Sequence, residues 1–299
     1  MRVVVAGASG FLGSRLRASL AADGHRLTQL VRRTTTRDDE RWWDPYAGTV
    51  DASILTGADA VINLAGAGVG DKRWNDAYRR VLLDSRVQPT TTLATALASL
   101  PEKDRPSVLV NASAVGYYGD TGDATVDEQS AAGGGFFPTL CESWEAATGA
   151  ATAAGIRVVL LRSGLVLDGG GGLLRPLALA TRLLAGGPMG GGRQWMPWIS
   201  AADWVGAVRF LLAHADIAGP VNVVGPDPVR NKDFAHALGK VLHRPAPWPI
   251  PTWALRIAIG EFADESVTSQ RALPAVLSRA GYEYQHSTVE SALHAALGR

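Results

Sequence analysis

The sequence predicts an α/β fold, a doubly wound parallel sheet accompanied by a smaller, mostly helical C-terminal domain. Three observations carry this. Short β-branched runs alternate with longer stretches of helical apolar spacing through the first half of the chain. A cluster of glycines follows the first apolar run at once and opens a helical pattern. After Gly164 the texture changes to glycine-rich loops and proline-broken helices.

In order, strands are expected from Arg2 to Ala6, Arg26 to Val31, Ala60 to Leu64, Ser107 to Ala112 and Arg157 to Leu161. Helices are expected near Phe11 to Asp23, Trp74 to Ser99 and Phe137 to Ala154. A further apolar helix spans about Leu174 to Leu184, between glycine loops at Asp168 to Gly172 and Gly186 to Arg193. A helix from Ala202 to His214 and a strand from Val221 to Val224 return to the main sheet. Beyond Asn231 the helices are broken by Pro245, Pro247, Pro249 and Pro251, with Thr252 placed to cap the next one. The larger domain is expected over 1–166, completed by about 196–224, and the smaller over 167–195 and 225–299.

Charge and composition exclude several classes. Lys plus Arg (29) nearly balance Asp plus Glu (28), so no field of one sign gathers nucleic acid or anionic membrane, and neither is expected as a partner. Cys141 is the only cysteine, which rules out an internal disulfide, and the six histidines are scattered; no metal is expected. No run approaches the roughly 18 apolar residues of a membrane span, and the chain enters its first strand without a basic and apolar leader, so a cytoplasmic location is expected.

Gly7-Ala8-Ser9-Gly10-Phe11-Leu12-Gly13 is a dinucleotide fingerprint in its proper context, strand before and helix after. Gly7 permits the tight turn, Gly10 lets backbone approach a pyrophosphate, and Gly13 allows helix to pack on strand, while the first helical amides face the phosphate charge. The same glycines would also serve a plain strand-to-helix turn. An NAD enzyme of this Rossmann type places an acid at the end of the second strand to hold the ribose 2′-hydroxyl. Here Val31-Arg32-Arg33 stands there instead. Two guanidinium groups suit a 2′-phosphate, so NADP(H) is the expected cofactor, although arginines also simply solvate strand ends. The missing acid counts equally against an S-adenosylmethionine enzyme.

Asn63-Leu64-Ala65-Gly66, after the third strand, is similar to the element that lines the cofactor cleft in short-chain dehydrogenases/reductases, and Asn111 to Gly119 is similar to the SSxxVYG element of extended sugar-nucleotide epimerases and dehydratases. With Trp43-Asp44-Pro45, Lys72-Arg73-Trp74, Ser85-Arg86, Cys141 to Glu145, Gly190 to Trp198 and Gln270 to Pro274, nearly the whole chain resembles the epimerase-like family of atypical extended short-chain dehydrogenases/reductases. The resemblance implies NADP(H) binding and a small-molecule substrate cleft between the domains; it implies neither a substrate nor an oligomeric state.

In ordinary members a Tyr handles the proton at the substrate oxygen and a Lys four residues later supports it. The best register puts Phe137 and Cys141 at these places; a shift by one gives Phe136 and Leu140, and neither supplies a proton relay. Phe137, Cys141, Trp144 and Thr148 share a helical stripe that reads as core, with Cys141 a buried, inert thiol. Ser113 stands where the superfamily's Ser or Thr meets the reacting oxygen, and Tyr117 and Tyr118 follow in the next loop, so these three hydroxyls are the candidate catalytic groups. Each also has a plain structural reading, backbone bonding for the serine and aromatic packing for the tyrosines.

On the substrate side, Arg193, Gln194, Trp195 and Trp198 in a glycine-rich loop combine a cation, an amide and two indoles suited to stacking a ring and bonding its edge; tight turns would use the same glycines. Asp203 is expected to cap the following helix or fix this loop. Lys72, Arg73 and Arg86 suit either an anionic substrate or a solvated helix face. Two functions remain: an NADP(H)-dependent oxidoreductase or epimerase-like enzyme acting on an unidentified small molecule, or an NADP(H)-binding sensor or scaffold without turnover.

Overall fold

A computed structural model describes residues 1–246 and 248–298. Pro247, one of the expected helix breakers, lies outside the described residues.

The first unit runs β1 (Arg2–Ala6), α1 (Phe11–Ala22), β2 (Arg26–Val31), β3 (Glu40–Asp44), β4 (Thr49–Val50), α2 (Ala52–Leu55), β5 (Ala60–Asn63), α3 (Asp76–Ser99) and β6 (Val108–Ala114). After a 3₁₀ turn at Val115–Tyr118 come β7 (Thr125–Val126), α4 (Phe136–Ala146), α5 (Gly149–Ala153), β8 (Arg157–Ser163), β9 (Leu165–Leu167) and α6 (Leu174–Arg182). The remainder holds β10 (Trp195–Met196), β11 (Trp198–Ser200), α7 (Ala201–Ala213), β12 (Gly219–Val223), β13 (Val229–Arg230) and α8 (Asn231–Leu242). It ends with α9 (Thr252–Ile259), α10 (Phe262–Glu265), β14 (Arg271–Ala272), α11 (Ala275–Arg279) and α12 (Val289–Leu297).

Eight strands form one sheet in the order β12-β8-β6-β5-β1-β2-β3-β4, parallel except for the antiparallel β3–β4 pair. Because side chains alternate across a strand, Val3, Val5, Ile62 and Val110 enter the core under α1 and α7, while Val4, Ala6, Val61 and Leu109 enter the core under α3 and α5. Burial on both faces explains why these strands read as unbroken apolar runs. A third core joins Leu174, Met196, Trp198, Phe234, Leu238 and Leu293 from α6, β10, β11, α8 and α12. Leu277 of α11 returns to the sheet core, so the C-terminal segment straddles both bodies.

Several local expectations are corrected. Glu40–Asp44 and Thr49–Val50 extend the sheet although charge and tryptophan hide their pattern. The helix expected from Phe137 to Ala154 divides into α4 and α5, Thr148 turning its hydroxyl back to the Glu145 carbonyl. Thr252 does not cap α9; Pro251 holds that place, without a side-chain bond. Ser200 rather than Asp203 caps α7, and Asp203, fully buried, accepts from the Ser200 hydroxyl and the Gln285 and His286 amides, binding the C-terminal segment to the helix start. Among the described residues no helix is long and apolar enough to cross a membrane, and no cluster of three His, Cys, Asp or Glu side chains gathers to hold a metal.

Candidate functional site

The strand order reverses direction between β1 and β5, and a crevice opens beyond their C-terminal ends, the usual ligand position in an open α/β sheet. Gly7 turns there at φ +79°, and a Cβ on it would stand 2.6 Å from the Leu64 carbonyl carbon, so the two crevice walls approach closely only because Gly7 has none. A Cβ on Gly13 would run into the Gly7 carbonyl, so this glycine lets α1 lie on the turn. Gly10 begins α1 without any side-chain cap, leaving the first amides to face outward.

The cleft holds about 750 Å³ between Gly7, Ser9 and Gly10 on one wall and Leu64, Ala65 and Gly66 on the other, with Arg32 and Arg33 at its end. Phe11 and Leu12 contribute no side chain to it: Phe11 lies beneath Gly171 and Gly172 with the Arg15 guanidinium over its ring, and Leu12 packs on the sheet core. Asn63 is also internal, donating to Asn111 and Thr90 and accepting from the Ala65 amide, which fixes the loop rather than lining it.

The two arginines differ. Arg33 makes a two-pronged pair with the buried Glu40, whose carboxyl is held down to about 2, first by the Arg33 hydrogen bonds and then by the Thr36 amide. Arg32 lies over the Tyr46 ring at 5.7 Å and, among the described residues, makes only one long side-chain hydrogen bond, to the Tyr46 hydroxyl, leaving most of its donors to the cleft.

Beyond β6 and β8 the candidate hydroxyls enter a buried polar chain. Ser113 donates to Glu145 Oε1 (2.6 Å); Glu145 clasps Arg162 through Nε and Nη2 at 2.9 and 2.8 Å; Arg162 Nη1 donates to the Tyr118 hydroxyl (3.1 Å), which donates to Asn222 (2.7 Å). Burial pushes the Tyr118 phenol up to about 12. Tyr117 stands apart: Arg162 covers its ring at 3.4 Å, and its hydroxyl has no hydrogen-bond partner among the described residues. Thus Ser113, Tyr117 and Tyr118 do converge, around one cation. Glu145 and Arg162 escaped the sequence reading; an arginine closing the apolar run Val158 to Leu161 was the available signal.

The positions of a proton relay on α4 are apolar in space as well. Phe137 packs on Gly116 and edge-on to Trp74, and Cys141 is fully buried, its thiol pushed up to about 12 by desolvation and by Glu145.

A second cavity, about 730 Å³, lies among Arg193, Gln194, Arg230, Lys232, Asp120 and Asp123. Arg193 is exposed at its edge, whereas the Gln194 amide is buried and donates to the Met189 carbonyl. The Trp195 indole lies between Arg230 (4.0 Å) and Arg271 (4.4 Å). Trp198 is displaced from the expected cleft position: it is 1 % exposed, its N–H bonded to the Asp227 carbonyl within the third core, because β11 turns it inward.

The model of the NAD dependent epimerase/dehydratase family matches residues 3–225, and a domain of unknown function (DUF1731) matches 250–296. Over 298 residues the chain is 44% identical to epimerase family protein MT2273 of Mycobacterium tuberculosis, covering 99% of this chain and 98% of that one. It is 35% identical to the human epimerase family protein SDR39U1, with 98% of each covered. The crystal structure of human SDR39U1 (isoform 2) with NADPH superposes with a TM-score of 0.90 at 32% identity over 100% of both chains. With its Rossmann-type sheet and this likeness along its whole length, the chain belongs to the NAD dependent epimerase/dehydratase family, as an atypical extended short-chain dehydrogenase/reductase.

Proposed function

We propose that this protein is an NADP(H)-dependent oxidoreductase or epimerase-like enzyme acting on a small molecule. The observation that carries the reading is the crevice between the Gly7 turn and the Leu64 to Gly66 loop with two arginines at its end. The fit is physical: Gly7 gives the backbone closeness, Ser9, Gly10 and the opening amides of Phe11, Leu12 and Gly13 receive a pyrophosphate, and Arg32 with Arg33 receives a 2′-phosphate. The human relative solved with NADPH supports the same choice. When bound, NADP(H) supplies a hydride or accepts one.

The proton work falls to this chain's own hydroxyls. Because the Ser113 O–H donates its hydrogen bond to Glu145, its oxygen is left to accept a hydrogen bond from a substrate hydroxyl and position it. Tyr117, whose O–H is uncommitted, gives or takes the proton, while Tyr118 is locked between Arg162 and Asn222 and holds the Arg162 cation in place. Arg193, Gln194 and Trp195 form the substrate side, Arg193 by direct contact and Gln194 by shaping the loop. We assign 1–166 with 196–224 to the cofactor domain and 167–195 with 225–299 to the substrate domain; the separate third core supports two bodies, although Met196 and Trp198 belong to that core and Leu277 to the sheet core.

Titration of NADPH and NADH tests the cofactor. NADPH binds more tightly, and Arg32→Ala with Arg33→Ala narrows the gap by about 1–3 kcal/mol, the scale of charge-assisted hydrogen bonds. Arg32 carries the larger share because Arg33 is already engaged by Glu40. Equal affinities in the unmodified protein refute the assignment. A cofactor-binding sensor is the second reading, favoured by Phe137 and Cys141 on α4; tight NADPH binding without turnover across a broad carbonyl screen would support it.

A further inference from the structure

Arg86 lies in α3, one turn beyond Leu82, half-buried and without a counter-charge. Among the described residues the guanidinium makes one hydrogen bond, from Nη1 to the Leu82 carbonyl (3.0 Å), and no carboxylate pairs with it. The guanidinium stacks over the Trp144 ring at 5.1 Å and is sunk deeply enough that desolvation holds its pKa below the ordinary arginine value. The side chain is half-buried and lacks a counter-charge, and four of its five N–H donors reach solvent at the rim beside Gly66, where they are free to meet oxygen atoms of a ligand.

Its surroundings say where those oxygens come from. Arg86 backs onto Gly66, where a Cβ would meet its Cγ, Cζ and Nη1 at 3.4–3.6 Å, and Gly66 is a wall of the cofactor crevice. The neighbouring Ser85 hydroxyl accepts from the Ala67 amide, so this turn of α3 is tied to the same loop. On its other side stand Trp144 and Cys141 of α4, the helix that carries no cation of its own toward the crevice. The adenosine end of the crevice, with Arg32 and Arg33 at the end of β2, lies across β1 from Gly66.

We propose that Arg86 is a cofactor ligand, donating to oxygens of the nicotinamide-side half of NADP(H), its ribose or the adjoining phosphate, and so supplies from α3 a cation absent from α4. This rests on the NADP(H) reading above. A ligand with both halves feels Arg86; one with only the adenosine half does not.

The test compares calorimetric binding of NADPH and of adenosine 2′,5′-bisphosphate to the whole protein and to Arg86→Gln and Arg86→Lys. Arg86→Gln weakens NADPH at least tenfold and leaves the bisphosphate within twofold, while the apo Tm does not fall, because an unpaired cation has been removed. Arg86→Lys, which keeps the charge but not the fork, loses less NADPH affinity with the same selectivity and carries the test if the Gln variant fails to fold. Unchanged NADPH binding, or a parallel loss of both ligands with a lowered Tm, overturns the proposal. An unmodified protein that binds neither ligand overturns the NADP(H) reading itself, whereas one that binds NADPH no better than the bisphosphate overturns the role of Arg86 alone.

Discussion

Truncating Glu145 tests whether the buried chain beyond β6 is held by charge. Arg162 is 4% exposed and Glu145 10%, and the carboxylate accepts three bonds, two from the guanidinium and one from Ser113. Glu145→Ala leaves a buried arginine without its counter-charge, a loss of about 3–5 kcal/mol, well above the ~1 kcal/mol ceiling of an exposed pair. With an unfolding entropy near 2.1 cal/mol/K per residue, a chain of 299 residues carries ~0.6 kcal/mol/K, so the midpoint falls by about 5–8 °C. Urea unfolding and calorimetry on the apo protein measure this directly. Glu145→Gln, which keeps an acceptor for Ser113 and part of the clasp, costs about 2 kcal/mol. The double variant Glu145→Leu with Arg162→Met, which removes both charges, recovers most of the loss. A cost below ~1 kcal/mol for Glu145→Ala in a folded protein would refute the idea that this pair is desolvated and organises the hydroxyls.

In an NADPH-oxidation screen over aldehydes, ketones, enones and imines, Ser113→Ala and Tyr117→Phe each lower kcat on any hit by at least about tenfold with NADPH affinity unchanged, while Tyr118→Phe mainly lowers stability; full kcat in all three shows that the proton donor lies elsewhere. Cys141, buried and with its thiol pushed up to about 12, resists iodoacetamide in the folded protein, and Cys141→Ser keeps turnover within a few-fold while losing about 1–2 kcal/mol of stability; rapid native alkylation contradicts this. The Glu40 carboxyl, held at about 2 against an ordinary 4.5, stabilises the fold above about pH 4.5 and ceases to as pH falls toward 2. Unfolding measured from pH 6 to 2 is therefore steeper for the native protein than for Glu40→Gln, and identical slopes would count against the Arg33 clasp.

The central strands of the sheet and the crevice at their ends are legible in the amino-acid order. A strand buried on both faces must be a continuous apolar run, and a turn that lets two backbones meet must be glycine, so β1, β5, Gly7 and Gly13 are legible without coordinates. The short strands at Glu40–Asp44 and Thr49–Val50 were not, since an edge of the sheet needs no such pattern. Which polar side chains meet depends instead on how the chain packs. Ser113 and Glu145 are separated by 32 residues and Tyr118 and Asn222 by 104, and no local spacing encodes such pairs. Nor did sequence distinguish Arg32 from Arg33, or Tyr117 from Tyr118: neighbours in a chain have nearly equal propensities, and only their partners, Glu40 for one arginine and the Arg162–Asn222 bridge for one tyrosine, separate a committed group from a free one. Trp198 shows the same limit from the other side, because an indole suits a pocket and a core alike until the direction of its strand is known.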